Sequence, residues 1–458
     1  MNHNQLKSRP LAYALFILPF ILTYLSWAYF PQTAQTLTTN LFNYHAQPQA
    51  ANSLWLALIT FFYTWYIIIA VGIASTWIIA AFLARKKHAE IKHVFPPMVS
   101  FLVPAYNQQT NIAKCVNSLL KCTEKYAGNC EIIIIDDGST DNTYETAWSI
   151  VKAAHERYPR VHCKIFKLMA NLGKIEALRT GVKTALGSVI AVVDADSEWT
   201  ENTLTKLING LQGDRKAVTG YVNPNGNAVD EGFLVKLQRL EYSRGLGVGR
   251  LAQGLGDDVL VVSGAVGVYD ADVLREILLE QNVRSVTEDL EITLELHQRG
   301  AKVGYVNDAF GCTVAPLSLG LLWRQRLRWF YGWLVNTLRV HRGLMLKRSW
   351  VSVLLWYSFV FEFFGAFVDF AALAAFPFLW WFAPDRLLFG LNLLVFGLYG
   401  FIVGFAFQVV ALKFAYGSYT CGNLLFYFPL YVLLRVVNML ARVRVVFGFL
   451  TGSNGKWH

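Results

Sequence analysis

The chain has 458 residues, 54% of them hydrophobic and 16% charged, with a formal net charge of +10 and a mean hydropathy of +0.36. A soluble domain is about 45–50% apolar; the excess here sits at the two ends, which argues against a simple soluble globule and predicts one domain of catalytic size between two membrane regions. The basic residues flank apolar spans and the end of the middle domain, so the charge is read as membrane-surface charge plus a phosphate site, and no recognition motif supports a nucleic-acid partner. Six cysteines are present, without a CxxC pair or a histidine cluster, which argues against zinc and a disulfide framework. Those in the middle domain fit a reducing compartment.

Leu11 to Phe30 and Leu54 to Leu83 are uncharged apolar stretches, each reaching the roughly 20 residues a spanning helix needs. A signal peptide competes for the first; its long apolar core and the lack of a clear A-x-A-like site favour a retained anchor. Lys7 and Arg9 precede the first stretch and Arg85, Lys86, Lys87 and Lys92 follow the second, whereas residues 31–53 hold no Lys or Arg. The positive-inside rule then places residues 31–53 outside and the middle domain in the cytosol of a multi-pass protein of the plasma or inner membrane.

From Met98 to about Val314 apolar runs alternate with helical patterns. "MVSFLVP", "EIIIID", "HCKIFKL" and "SVIAVVDAD" read as strands, with helices between them. That alternation predicts βαβ units and a mainly parallel, Rossmann-like α/β sheet inserted between transmembrane helices. Ligands on such sheets bind beyond the carboxyl ends of the strands, where the candidate motifs fall.

Asp194 and Asp196 close the fourth strand. On a strand, i and i+2 share a face, and two carboxylates on one face favour a divalent cation carrying a diphosphate; a solvated strand-end turn is the alternative. Asp136-Asp137-Gly138-Ser139 ends the second strand, where Asp can bond a base or ribose edge and Gly allows close approach; an ordinary Asp-Gly turn competes. Ala105, Tyr106 and Asn107 end the first strand at the same edge and form the other wall of a nucleotide site. Asn171-Leu172-Gly173-Lys174 opens a helix whose N-terminus and lysine favour an anion, or else Asn171 caps that helix.

Thr287-Glu288-Asp289 precedes "LEITLELHQRG". Thr287 is a candidate cap, with Glu288 and Asp289 at the positive helix end; the functional reading makes Asp289 a general base for an acceptor hydroxyl. Gln325-Arg326-Leu327-Arg328-Trp329 lies just before the C-terminal apolar region. It reads as an interfacial helix, while Arg328 is placed to neutralise a departing diphosphate and Trp329 to stack on an acceptor sugar.

Taken together, "VPAYN", "IIDDGSTDNT", "NLGKIEAL", "VVDADS", "VSGAVGVY", "TEDLEITLELHQRG" and "QRLRW" give the stretch from about Val99 to Trp333 a plain resemblance to the family 2, GT-A-type processive glycosyltransferases, which include cellulose, chitin, hyaluronan and poly-N-acetylglucosamine synthases. The resemblance implies that Ala105, Tyr106, Asn107, Asp137 and Lys174 bind the nucleotide-sugar, that Asp194 and Asp196 meet the donor and a Mg2+ or Mn2+ ion, and that Arg328 serves the leaving diphosphate. It implies acceptor contacts from Ser263, Gly264, Glu288, Gln325 and Trp329, with Asp289 as base. Gln108, Arg179 and Val314 depart from the family's usual Glu, Asn and acidic residue. The chain's end at His458 implies no added regulatory domain like that of bacterial cellulose synthases.

The expected organisation is two N-terminal membrane helices (1–95), a cytosolic GT-A domain (96–316), an interfacial helix (317–348) and C-terminal membrane helices (349–458), with roughly four to six membrane segments in all. The expected activity is processive, inverting transfer from a UDP-sugar, UDP-N-acetylglucosamine first and UDP-glucose second, to a growing polysaccharide that is exported across the lipid bilayer. The alternatives are single addition to a lipid carrier and a non-catalytic nucleotide-sugar-binding assembly or transport protein. In the last apolar segment Arg435, Asn438 and Arg442 form one helical stripe, facing either a carbohydrate path or the membrane interface.

Overall fold

The computed structural model describes residues 65–66, 70–87, 96–225, 232–280, 283, 285–381, 386–417 and 422–452. The first expected span and residues 31–53 lie outside the described residues, as does much of the second span.

The strands are β1 Val99–Ala105, β2 Cys130–Asp136, β3 Val161–Lys167, β4 Val189–Val192, β5 Ser197–Trp199, β6 Arg215–Asn225, β7 Gly267–Asp270 and β8 Lys302–Val314. They form one sheet in the order β3-β2-β1-β4-β7-β6-β8-β5. β1 to β4 pair in parallel. The other half is mixed: β7 runs antiparallel to both β4 and β6, β6 is parallel to β8, and β5 is antiparallel to β8. β4 is shorter than the apolar run implied, and the Asp194–Asp196 pair falls after its end.

The helices are α1 Ala70–Lys87, α2 Ile112–Lys125, α3 Thr143–Arg157, α4 Lys174–Thr184, α5 Thr203–Gly210, α6 Phe233–Arg244, α7 Ala271–Glu280, α8 Glu288–Gln298, α9 Leu319–Val335, α10 Trp350–Trp381, α11 Arg386–Tyr416 and α12 Tyr431–Leu450. Short π-helical segments extend α6 (Gly245–Arg250) and α9 (Asn336–Val340) and interrupt α10 (Ser358–Phe364).

β1 and β2 are buried along their whole length, and their side chains alternate between two cores. Phe101, Val103, Ile132 and Ile134 meet Ile112, Cys115 and Leu119 of α2 and Ala147 and Val151 of α3. Leu102, Ile133 and Ile135 meet Ala177, Leu178 and Val182 of α4 on the opposite face. That second core also takes Ala81 and Ala84 from α1 and Phe407, Ala411 and Phe414 from α11. The apolar flanking helices therefore close the back of the sheet and leave its carboxyl edge to the motif loops.

Two helices among the described residues are long and apolar enough to cross a membrane, Trp350–Trp381 and Gly397–Tyr416. Charges in such helices are costly unless paired, and here they pair with one another. Glu362 of α10 accepts from Arg442 of α12 at 3.2 Å. Asp369 accepts from Tyr66 Oη at 2.8 Å and lies 3.9 Å from Arg435. Asn438 is buried and donates to Glu241 of α6 at 2.6 Å. The α12 stripe thus meets polar side chains of the protein itself at all three of its positions.

Candidate active site

The loops after β1 and β2 are locked together. Asn107, with a positive φ of 52°, accepts from Thr140 N at 2.9 Å and donates its own amide to Ser139 Oγ at 2.9 Å. Asn tolerates this left-handed conformation better than most residues. Ala105 is buried, and its carbonyl accepts from Asp137 N at 2.8 Å, while Tyr106 projects outward, 42% exposed. Gly138 takes φ 67°, and a Cβ there would lie 2.5 Å from the Ala170 carbonyl carbon. Only glycine fits this approach of the β2 loop to the Asn171–Lys174 loop.

Asp137 does something different from its expected base or ribose contact. Its two oxygens accept from Leu172 N and Gly173 N, each at 2.8 Å, so the carboxylate fixes the loop that starts α4. Its neighbour Asp136 is fully buried, with Oδ1 3.4 Å from Ser139 N and Oδ2 without a partner. The sequence reading chooses Asp137 as the nucleotide-binding aspartate; the unpartnered oxygen at the strand edge belongs to its neighbour Asp136. Asn171 does not cap α4: the N-cap is Gly173, with no side-chain bond.

Lys174, the first residue of α4, carries the centre of the site. Its ammonium pairs with Asp194 and, at 2.5 Å, with Glu288. Gly264 completes the contact: its carbonyl accepts from Asp194 N at 2.9 Å, and a Cβ on it would come 2.8 Å from Lys174 Nζ. Ser263 faces inward to the sheet, its amide donating to Thr219 Oγ1 at 3.2 Å and its hydroxyl accepting from Ala265 N at 3.3 Å.

Asp194 and Asp196 come together in a turn rather than on a strand face. Ser197 N closes it on the Asp194 carbonyl at 2.9 Å. Asp196 Oδ1 takes weak bonds from Ser197 and Thr313, both at 3.3 Å. Burial and then the like charge of Asp194 push Asp196 up to about 6. Burial and then the charge of Glu288 push Asp289 up to about 6 as well. Burial alone would lower Lys174, but Asp194 and Glu288 outweigh it and hold its ammonium well above the usual lysine range. Among the described residues no group of three or more His, Cys, Asp or Glu side chains could hold a metal ion. The Asp194–Asp196 pair supplies two hard oxygen donors, which suits a Mg2+- or Mn2+-type ion completed by substrate phosphates and water.

Thr287 stands at the N-cap of α8, as expected, but its side chain makes no capping bond. Its hydroxyl accepts from Asn336 Nδ2 at 3.1 Å, and the same amide reaches Ser285 Oγ at 3.0 Å. A Cβ on Gly332 would meet Thr287 Oγ1 at 2.2 Å. Thus α9 and its π-helical extension hold the segment that presents Asp289. Gln325, Arg328 and Trp329 ride on α9, and among the described residues no hydrogen bond or ion pair joins them to the carboxylates. Arg328 is exposed without a polar partner among the described residues, Gln325 Oε1 is buried without one, and Trp329 lies under the Arg326 guanidinium, 4.6 Å from Cζ to ring centroid.

The family described as Glycosyl transferase family 2 matches residues 100–278. Residues 100–278 are a glycosyl transferase family 2 domain. The chain is 29% identical over 252 residues to a poly-beta-1,6-N-acetyl-D-glucosamine synthase of Staphylococcus epidermidis, covering 55% of this chain and 57% of that protein. It is 30% identical over 236 residues to the protein of the same name from Staphylococcus aureus (strain COL), covering 51% and 54%. The chain therefore spans just over half the length of these curated relatives. A mannosyltransferase from Pyrobaculum calidifontis, solved with GDP-Man and Mn2+, superposes with a TM-score of 0.51 at 16% identity, over 80% of this chain and 99% of that one. This likeness places the glycosyl transferase domain in the GT-A fold, with the Lys174 cluster at its carboxyl edge.

Proposed function

We propose that this protein is a membrane-embedded, inverting glycosyltransferase that moves sugars from a UDP-sugar to a growing polysaccharide, with UDP-N-acetylglucosamine as the leading donor, and that it adds sugars processively and passes the polymer outward. The observation that carries the reading is the meeting of Lys174 with both Asp194 and Glu288, beside an Asp289 pushed up to about 6. The names of the staphylococcal relatives favour the polysaccharide product and the hexosamine donor.

In this mechanism Asp289, ionised above pH 6, accepts the proton of an acceptor hydroxyl as that oxygen bonds to the anomeric carbon. The bond from that carbon to the diphosphate oxygen breaks on the opposite side, and the nucleoside diphosphate leaves with the electron pair. Lys174 neutralises the departing charge, and Arg328 is free to join it from α9. Asp194 and Asp196 would hold a divalent ion that neutralises and orients the diphosphate; the Pyrobaculum mannosyltransferase was solved with Mn2+. Asp136 Oδ2 and the Asn107 turn would receive the base and ribose. Trp329 and Gln325 would receive the acceptor.

The test is nucleoside diphosphate release from purified protein against a panel of nucleotide-sugars, with the product sized. Release from UDP-N-acetylglucosamine together with a long product supports the reading. Release with a single-sugar product moves the protein to the lipid-carrier class, and tight donor binding without release makes it a non-catalytic binder.

A further inference from the structure

Arg326 lies between the motif residues Gln325 and Arg328, and it is 3% exposed. A buried guanidinium needs a counter-charge. Glu241 of α6 supplies it, 2.5 Å from Arg326 Nη2. The other oxygen of the same carboxylate accepts from Asn438 Nδ2 of α12 at 2.6 Å. One carboxylate therefore joins three helices: α6 from the glycosyl transferase region, α9 with its Gln325–Trp329 motif, and apolar α12. Leu327 and Leu334 of α9 pack beside this junction on Ala441 and Val445 of α12. Arg326 in turn spreads its guanidinium on the Trp329 indole at 4.6 Å. A cation in that position is attracted to the face of the ring. Among the described residues no other aromatic ring stacks on Trp329. Further along α9, a Cβ on Gly332 would meet Thr287 Oγ1 at 2.2 Å, so the helix that carries the junction also abuts the segment that presents Asp289.

We propose that Glu241, Arg326 and Asn438 are positioning residues that clamp Trp329 in register with the transfer site, and that this clamp determines how many sugars are added before the product leaves. The inference rests on the glycosyltransferase reading above. It differs from an open polar path along α12, because Asn438 is engaged by Glu241. Product length is the sensitive quantity: a loosened indole lets the chain end slip between additions, whereas a first transfer needs only the carboxylates and Lys174.

The experiment compares wild type, Asn438→Leu and Arg326→Lys in detergent or nanodiscs with UDP-N-acetylglucosamine. Nucleoside diphosphate release and product length are measured on the same samples. Asn438→Leu removes the α12 tie and keeps the Arg326–Glu241 pair; the expected result is a product several-fold shorter, with release at the wild-type rate and an unchanged donor KM. Arg326→Lys keeps the charge for Glu241 but loses the planar contact with Trp329, and it should shorten the product too even if the first variant fails to fold. Wild-type product length in either folded variant overturns the clamp and leaves the enzymatic reading standing. A wild-type protein that releases no nucleoside diphosphate, or makes only a single addition, overturns both.

Discussion

Lys174 Nζ lies 2.5 Å from Glu288 Oε1, which ties the start of α4 to the helix that carries Asp289. The same ammonium pairs with Asp194. One cation thus holds three motif segments at one point, so its removal sets two carboxylates against each other. Lys174→Met should raise the donor KM and lower turnover, measured by nucleoside diphosphate release. The Lys174 side chain is 31% exposed, so the lost pairing should cost only about 1 kcal/mol of unfolding stability. An unchanged donor KM in a folded variant would place the diphosphate elsewhere.

Asp289→Asn keeps the side-chain shape and removes the carboxylate proposed as the base. Turnover should fall by ~10²–10⁴-fold while UDP binding is retained. Activity within a few-fold of wild type would make Asp289 a helix-start residue only.

The pH profile follows from the same carboxyl. The raised Asp289 value of about 6 means that the proton stays on until that pH is reached. kcat/KM should therefore fall as pH drops through about 6, rather than near the ordinary aspartate value. The sign for stability is opposite to that of a paired carboxylate. Ionising Asp289 in the fold is unfavourable, a penalty absent below the unfolded value of 3.8 and fully present above about 6. Asp289→Asn should therefore melt higher than wild type at pH 7.5, and the gap should close towards pH 4. A gap independent of pH would contradict the assignment.

Asp196→Asn should abolish transfer, and a chelator should do the same to wild type, because two carboxylates hold a diphosphate only through a cation. Full activity in excess EDTA, followed as product formation, would remove the metal.

Asn336→Leu tests the support of the segment that presents Asp289. Asn336 is fully buried and spans Ser285 and Thr287. Losing those bonds leaves the Thr287 and Ser285 hydroxyls with each other, 3.2 Å apart, and should cost about 1 kcal/mol. The expected result is a lower kcat with the donor KM unchanged, since Lys174 and Asp194 are untouched.

Local motifs were legible where a residue's task is set by its own strand end. The parallel half of the sheet, the Asp194–Asp196 pair, Lys174 and the Thr287–Asp289 segment could all be read from short runs. The mixed half was not, because β6, β7 and β8 find their partners across long stretches of chain and carry no alternation that reports strand direction. Roles decided by distant partners were also hidden. Asp137 looks like a ligand residue until Leu172 and Gly173 take both its oxygens. Thr287 holds the N-cap position expected of it, but its hydroxyl accepts from Asn336 and does not cap the helix. The arginines and asparagine of α12 were legible only as a polar stripe; that Glu362 and Glu241 receive Arg442 and Asn438 depends on how the helices pack. One local signal was available and passed over, the isolated Glu241 ahead of a glycine-rich segment.

The most direct test is a donor screen on purified protein in a bilayer, reading nucleoside diphosphate release and product together for wild type, Asp196→Asn and Asp289→Asn. The account predicts UDP release from UDP-N-acetylglucosamine with a polymeric product from wild type, and neither from the two variants, although Asp289→Asn still binds UDP. Release that survives in both variants, or a wild type that binds donors and turns none over, would contradict it.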